Sequence, residues 1–185
     1  MSIEDNTPIN PTGQFFPEQL YTAELKTPNS LGIRVDEELN HHRVCVLKAL
    51  EEVIWSIKRT NGYNNTIEMV ERQHFDHQDF KFPVIFITSQ GVDYERMPGG
   101  YLTVNLNILL VGYVQVAQEV ETLADELEFF LKDTLSCLGI NPTLLGTVND
   151  LIIDTDKTSG NFLYPQAYFT LPIRAIYQVN NLTQV

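Results

Sequence analysis

Between Tyr101 and Val114 the chain alternates with a period of two. Leu102, Val104, Leu106, Ile108 and Leu110 fall on one side, and Tyr101, Thr103, Asn105 and Asn107 on the other. Successive side chains of a strand point to opposite faces, so this segment demands a sheet with one buried face. At about 3.3 Å per residue it spans roughly 45 Å, whereas a compact body of ~150 residues has a diameter of about 40 Å. Part of the strand is therefore expected to leave the body. A projecting two-faced strand needs another sheet edge, a cover or blunting charges, which makes it an assembly element before it is the wall of a catalytic pocket.

The remaining elements follow from local pattern. Residues 1–34 hold Pro8, Pro11, Pro17 and Pro28 with Gly13 and Gly32 and show no sustained period, which predicts an extended arm. Phe15, Phe16, Leu20, Tyr21 and Leu25 make that arm costly to leave in water, so it is expected to dock on its own domain or on a neighbouring subunit. A helix is predicted from Asp36, with Leu39, Val46, Leu50, Val53, Ile54 and Ile57 on one stripe and Asn61-Gly62 as the stop. Trp55, just off the stripe, is expected to cover the core. Strands are predicted near 66–73 and 82–88, the second central. A loop through Gly91, Pro98, Gly99 and Gly100 follows, carrying Tyr94, Arg96 and Met97, a mixture suited to an interface. The second helix is predicted over 117–138, with Gly139 as its cap. Strands near 147–154 and 164–178 close the series, and Pro165 and Pro172 assign the last one to an edge or an interrupted position. Helix, three strands, helix, two strands predicts one α+β domain over 35–185. Its mostly antiparallel sheet of about five strands carries two amphipathic helices on one face.

Charge and cysteines narrow the function. With 24 acids against 12 bases the net charge is -12, which argues against a surface that grips nucleic-acid phosphates. Such a chain can still sit beside DNA if its task is to let DNA pass without sticking. Cys45 and Cys137 lie on apolar helical patterns and are expected to be buried free thiols in a reducing compartment. No apolar run approaches the roughly 20 residues that span a bilayer, and no signal-peptide pattern is present.

Catalytic motifs are weak. His74, Asp76, His77 and Asp79 lie within six positions and are of metal-ligating type. On an extended strand, however, His74 and Asp76 face away from His77 and Asp79, and a solvated hairpin is the expected reading. Asp154, Asp156 and Gly160 approximate a calcium loop, but the glycine is one position late and no closing glutamate follows. His41 and His42, adjacent on a helix, diverge by about 100°. There is no phosphate-cradling glycine loop, nucleophile elbow or paired CxxC. No catalytic residue, metal or cofactor is expected.

Four stretches carry a family resemblance: VLKALEEVIWSIK, KFPVIFITS, GGYLTVNLNILLVGYV with VETLADELEFFLKDTLSCL, and LYPQAYFTLPIRAIY. In order and character they resemble the tail terminator proteins of tailed bacteriophages, over about residues 35–179, and neighbouring neck or tail-completion proteins nearly as closely. The resemblance implies a structural virion protein of the tail or neck, assembled in the host cytoplasm. It implies a homo-oligomeric ring, commonly a hexamer, that caps the tail tube protein, ends its elongation and meets a neck or connector protein. In contractile tails it also implies contact with the sheath. DNA would pass through an acidic lumen without specific binding, and no membrane is involved. Phe15, Phe16 and Tyr21 in the arm, and Tyr94, Arg96 and Met97 before the long strand, are the expected contacts. The rivals are a small metal-dependent enzyme using His74, Asp76, His77 and Asp79, and a monomeric adaptor whose sheet edge accepts a peptide strand.

Overall fold

The computed structural model describes residues 30–72, 80–116, 120–158 and 165–180. In chain order these give helix α1 (Ser30–Trp55), strands β1 (Met69–Arg72), β2 (Val84–Met97) and β3 (Tyr101–Gln115), and helix α2 (Val120–Ile140). Strands β4 (Asp150–Ile153), β5 (Lys157–Thr158) and β6 (Gln166–Asn180) follow. The sheet order is β1-β2-β3-β6-β4, with β5 added to β6, and every pair is antiparallel except β1 with β2. The architecture is α+β, with six strands rather than about five.

The alternation of β3 sets the two faces. Leu102, Val104, Leu106, Ile108, Leu110 and Val114 are buried, joined by Ala167, Phe169, Leu171, Ile173, Ala175, Tyr177 and Val179 of β6. Against this face pack Val46, Leu50, Val53, Ile54 and Ile57 of α1 and Leu123, Leu127, Phe130 and Leu131 of α2, in one continuous cluster. Both helices therefore lie on the same side. Each buried Leu, Ile or Phe contributes roughly 1.5–3 kcal/mol, which is why both periodic patterns are so clean. Gly112 serves close packing on this face: a Cβ there would meet the Phe169 ring at 2.4 Å. Its bareness lets Phe169 lie across β3 and reach Phe130, 5.6 Å between centroids.

The opposite face has its own partial cover. Phe86 meets Phe80 at 5.3 Å and Tyr113 at 5.8 Å, and Tyr113 meets Tyr168 at 5.5 Å, so an aromatic row crosses β2, β3 and β6. Farther along, this face turns polar. Asn107 Nδ2 donates to Asp93 Oδ2 at 2.9 Å, and Arg174 pairs with Asp154 at 3.5 Å.

The long strand does not project alone. Its partners accompany it to the end, through Met97↔Tyr101 and Tyr101↔Asn180, and its helix-side residues stay buried as far as Leu102 at 8% exposure. The body is lengthened with it, and the overhang shrinks to a hairpin tip. Residues 91–97, expected as loop, are strand. Gly91 marks a bulge, where the register shifts between Ser89 and Gly91, rather than a turn.

Other boundaries move for local reasons. The helix α1 opens at Ser30, so residues 30–34 belong to it and not to an extended arm. One internal glycine, Gly32, costs a helix only about 1 kcal/mol. At its other end α1 stops at Trp55, and a 3-10 turn, Arg59–Asn61, leads to Gly62 in the left-handed region at φ 91. Trp55 is 36% exposed and stands outside the buried cluster. Gly139 does not cap α2, which runs on to Ile140; there the Asn141 side-chain amide donates to the Cys137 carbonyl at 2.9 Å and Pro142 bars continuation. Cys137 is buried as expected, while Cys45 is only half-buried, with its Sγ 3.7 Å from His41 Nε2. The strands β1 and β2 run parallel, so they are not the two arms of a hairpin.

Pro172 occupies an interrupted position, as its missing donor requires. Its carbonyl accepts from the Asp154 backbone N–H at 3.0 Å, and the N and O of one strand residue face the same neighbour. The absent N–H thus points at the break between β4 and β5.

Candidate assembly interface

The tip of the β2-β3 hairpin brings three of the sequence-derived contact residues together. Tyr94 is 55% exposed and Met97 41%, and Arg96 is exposed between them. The turn is Pro98-Gly99-Gly100, with φ of 89 and 82 at the glycines. Only glycine adopts such angles at low cost, so this turn closes tightly and presents the flanking side chains outward. Tyr101, 45% exposed, stands directly across from Met97. Tyr101 was counted in the sequence only as the outer face of a strand. The Pro-Gly-Gly turn between Met97 and Tyr101 is the signal in the sequence that could have placed it at the tip.

Register fixes which face each residue serves. Tyr94 and Arg96 pair with Val104 and Leu102 on the helix side, while Asp93, Glu95 and Met97 pair with Asn105, Thr103 and Tyr101 on the other. The tip is therefore two-faced, aromatic on both sides, with Arg96 on the helix side and Asp93 and Glu95 on the other. Tyr94 also stands near Tyr177, which is 3% exposed. Burial foremost, with the Tyr94 hydroxyl adding to it and Arg43 opposing, pushes the Tyr177 phenol up to about 12.

The edge of β2 is the second feature. The short β1 pairs with it only from Met69↔Val84 to Arg72↔Ile87, so among the described residues the outer edge of β2 has no strand partner from Thr88 to Met97. Unpaired N–H and C=O groups in a row template another strand. Where β1 stops, a groove of about 560 Å³ opens, lined by Arg43 and Leu47 of α1, Arg72 of β1, and Ile87, Thr88 and Ser89 of β2. Arg43 Nη2 donates to Ser89 Oγ at 2.8 Å, and Arg72 Nε lies 3.2 Å from Glu51 Oε2.

Beneath α2 a carboxylate is fully used. Asp133, 3% exposed, accepts from the Asn64 and Asn65 backbone N–H groups at 3.1 and 2.8 Å and from their side-chain amides at 2.8 and 3.2 Å. With four donors fixed on it, this group clamps the loop before β1 to α2 and has no free lone pair directed at a substrate. Cys137, beside it on α2, donates to the Val53 carbonyl at 3.1 Å. Burial, then the Cys137 side chain, pushes the neighbouring Tyr63 phenol up.

Phe15, Phe16 and Tyr21 lie outside the described residues, as do His74, Asp76, His77 and Asp79. Among the described residues no three His, Cys, Asp or Glu side chains come together as a metal-holding group, and no helix is long and apolar enough to cross a membrane. No family model matches the chain, and no curated protein matches it significantly.

Proposed function

We propose that this chain is a ring-forming structural protein of a phage tail. In this reading it caps the tail tube, ends its elongation and joins the tail to the neck, without catalysing a reaction. What supports the reading is the hairpin tip: a three-stranded extension ends in exposed Tyr94, Met97 and Tyr101, with a β2 edge beside them that is unpaired among the described residues. Aromatic residues, methionine and arginine are the types enriched in interface cores. A ring is built from heterologous contacts, in which one patch meets a different patch on the next subunit; a protruding tip on one side of the subunit supplies such a patch. The net charge of -12 suits a lumen that repels DNA phosphates and lets the molecule slide.

The test is assembly. Mixed with tail tube subunits, the purified chain forms closed rings on tube ends and shortens the tubes, as seen by electron microscopy. The triple variant Tyr94→Ser, Met97→Ser, Tyr101→Ser keeps its fold and loses ring formation. A chain that stays monomeric beside tube ends, or a ring with a strongly positive lumen, would overturn the reading.

A further inference from the structure

The connection from α1 to β1 holds the chain's single Asn-Gly pair, Asn61-Gly62. Asparagine is a thermolabile residue, and a following glycine, having no Cβ, lets its backbone nitrogen approach the asparagine side chain closely. In the folded chain both partners of that encounter are occupied. Asn61 Nδ2 donates to the Ser56 carbonyl at 2.7 Å, which satisfies one of the carbonyls that a helix end leaves without an internal partner. The Gly62 N–H donates to the Arg59 carbonyl at 3.1 Å, with Gly62 at φ 91. A nitrogen that keeps its proton in a hydrogen bond is not a nucleophile.

Further bonds fasten the turn around the pair. The Arg59 N–H donates to Thr66 Oγ1 at 3.0 Å, Arg59 Nε to the Asn64 carbonyl at 2.7 Å, and the Ile67 N–H to the Ile57 carbonyl at 3.0 Å. Shortly after Gly62 come Asn64 and Asn65, whose four donors grip Asp133. Asn61 and Gly62 thus lie between the end of α1 and the clamp, and both are exposed to water. An exposed turn of this kind opens locally at less cost than the whole chain unfolds.

We propose that Asn61 is a deamidation site that the folded turn keeps closed, and that its conversion loosens the Asp133 clamp. When the turn opens, the Gly62 nitrogen gives its proton to water and attacks Asn61 Cγ; the new N–C bond forms, the Cγ–Nδ2 bond breaks and ammonia leaves. Water then opens the cyclic imide and leaves aspartate or isoaspartate at position 61, so the net exchange is water for ammonia. The turn cannot close as before. A carboxylate only accepts hydrogen bonds, which forbids the bond to the Ser56 carbonyl, and its charge is unfavourable at the negative end of α1.

The proposal does not depend on the phage-tail reading, and its test uses no tube. Peptide mass mapping of the full-length chain, held at neutral pH, reads conversion at position 61. Conversion is slower by roughly tenfold or more in the native chain than in urea, as expected when hydrogen bonds must first open. The variant Thr66→Ala, which takes the acceptor from the Arg59 N–H, speeds conversion in the native chain. In Asn61→Asp, hydrogen exchange at the Asn64 and Asn65 amides rises roughly tenfold, while exchange in the middle of β3 stays slow and shows that the chain is folded. Native conversion as fast as in urea, or unmoved by Thr66→Ala, would overturn the proposal. So would wild-type exchange at Asn64 and Asn65 in the Asn61→Asp chain.

Discussion

The same three strands behave differently at their two ends. Near the start of β2 the sheet is covered on both faces, by the helices on one side and the row Phe80, Phe86, Tyr113 and Tyr168 on the other. Near the hairpin tip the pairing continues unchanged, but among the described residues the outer edge has no strand partner, the far face is polar and Tyr94, Met97 and Tyr101 stand exposed. Backbone pairing and side-chain burial are thus separable. Pairing carries rigidity out to the tip, while the free energy of folding is concentrated at the covered end. A surface built this way can change its contacts at little cost to the fold.

That contrast can be broken, and the largest effect is expected at the covered end. Phe169→Ala removes the ring that spans Gly112 and meets Phe130, and should cost about 3–5 kcal/mol of unfolding free energy, read from urea denaturation. A loss below about 1 kcal/mol would mean that the covered end does not anchor the sheet. Asp133→Ala strips the acceptor from four donors in the clamp before β1 and should cost about 2–3 kcal/mol, with faster amide exchange at Asn64 and Asn65.

Tyr177 sharpens the comparison, because it marks how far burial extends toward the tip. Its phenol titrates higher in the folded chain, at about 12 against 10.0 for the free group. The neutral form is favoured by folding, so this stability is fully present below pH 10 and is lost as pH rises toward 12. Urea midpoints should fall over that window, and Tyr177→Phe should make the fall shallower. An unchanged slope would show that the phenol is not held in the folded core. The smallest stability effect belongs to the tip itself. The variant Tyr94→Ser, Met97→Ser, Tyr101→Ser should shift unfolding by within about 0.5 kcal/mol per site while abolishing ring assembly. A large loss of stability there would erase the distinction between the two ends.

The sequence spoke clearly where burial is one-sided. The strand β3 and the helix α2 each bury one face, and hydrophobic periodicity records that directly. The outer half of β2 buries neither face fully. Its Asp93, Glu95 and Arg96 therefore carry no alternation, and Gly91 read as a turn although it is a bulge. Parallel pairing of β1 with β2 leaves no local mark, since either direction of pairing uses the same side-chain period. Tyr94, Arg96 and Met97 stood out by their chemistry, even with their backbone assigned as loop, and all three are exposed at the tip. The groove was not legible, because Arg43 and Arg72 meet only through the packing of α1 across the sheet.

The bulge at residues 89–91 has a consequence for how the tip could be re-aimed. Before it, odd-numbered residues of β2 face the helices, and after it even-numbered ones do, because Gln90 is the extra residue without a partner on β3. Removing Gln90 would pair Ser89 and Gly91 in regular succession and leave every side chain from Val92 to Met97 on its present face. Only the bend and added twist that a bulge imposes would disappear. One codon thus governs the direction in which the tip points, and a separate set of codons governs what it presents there.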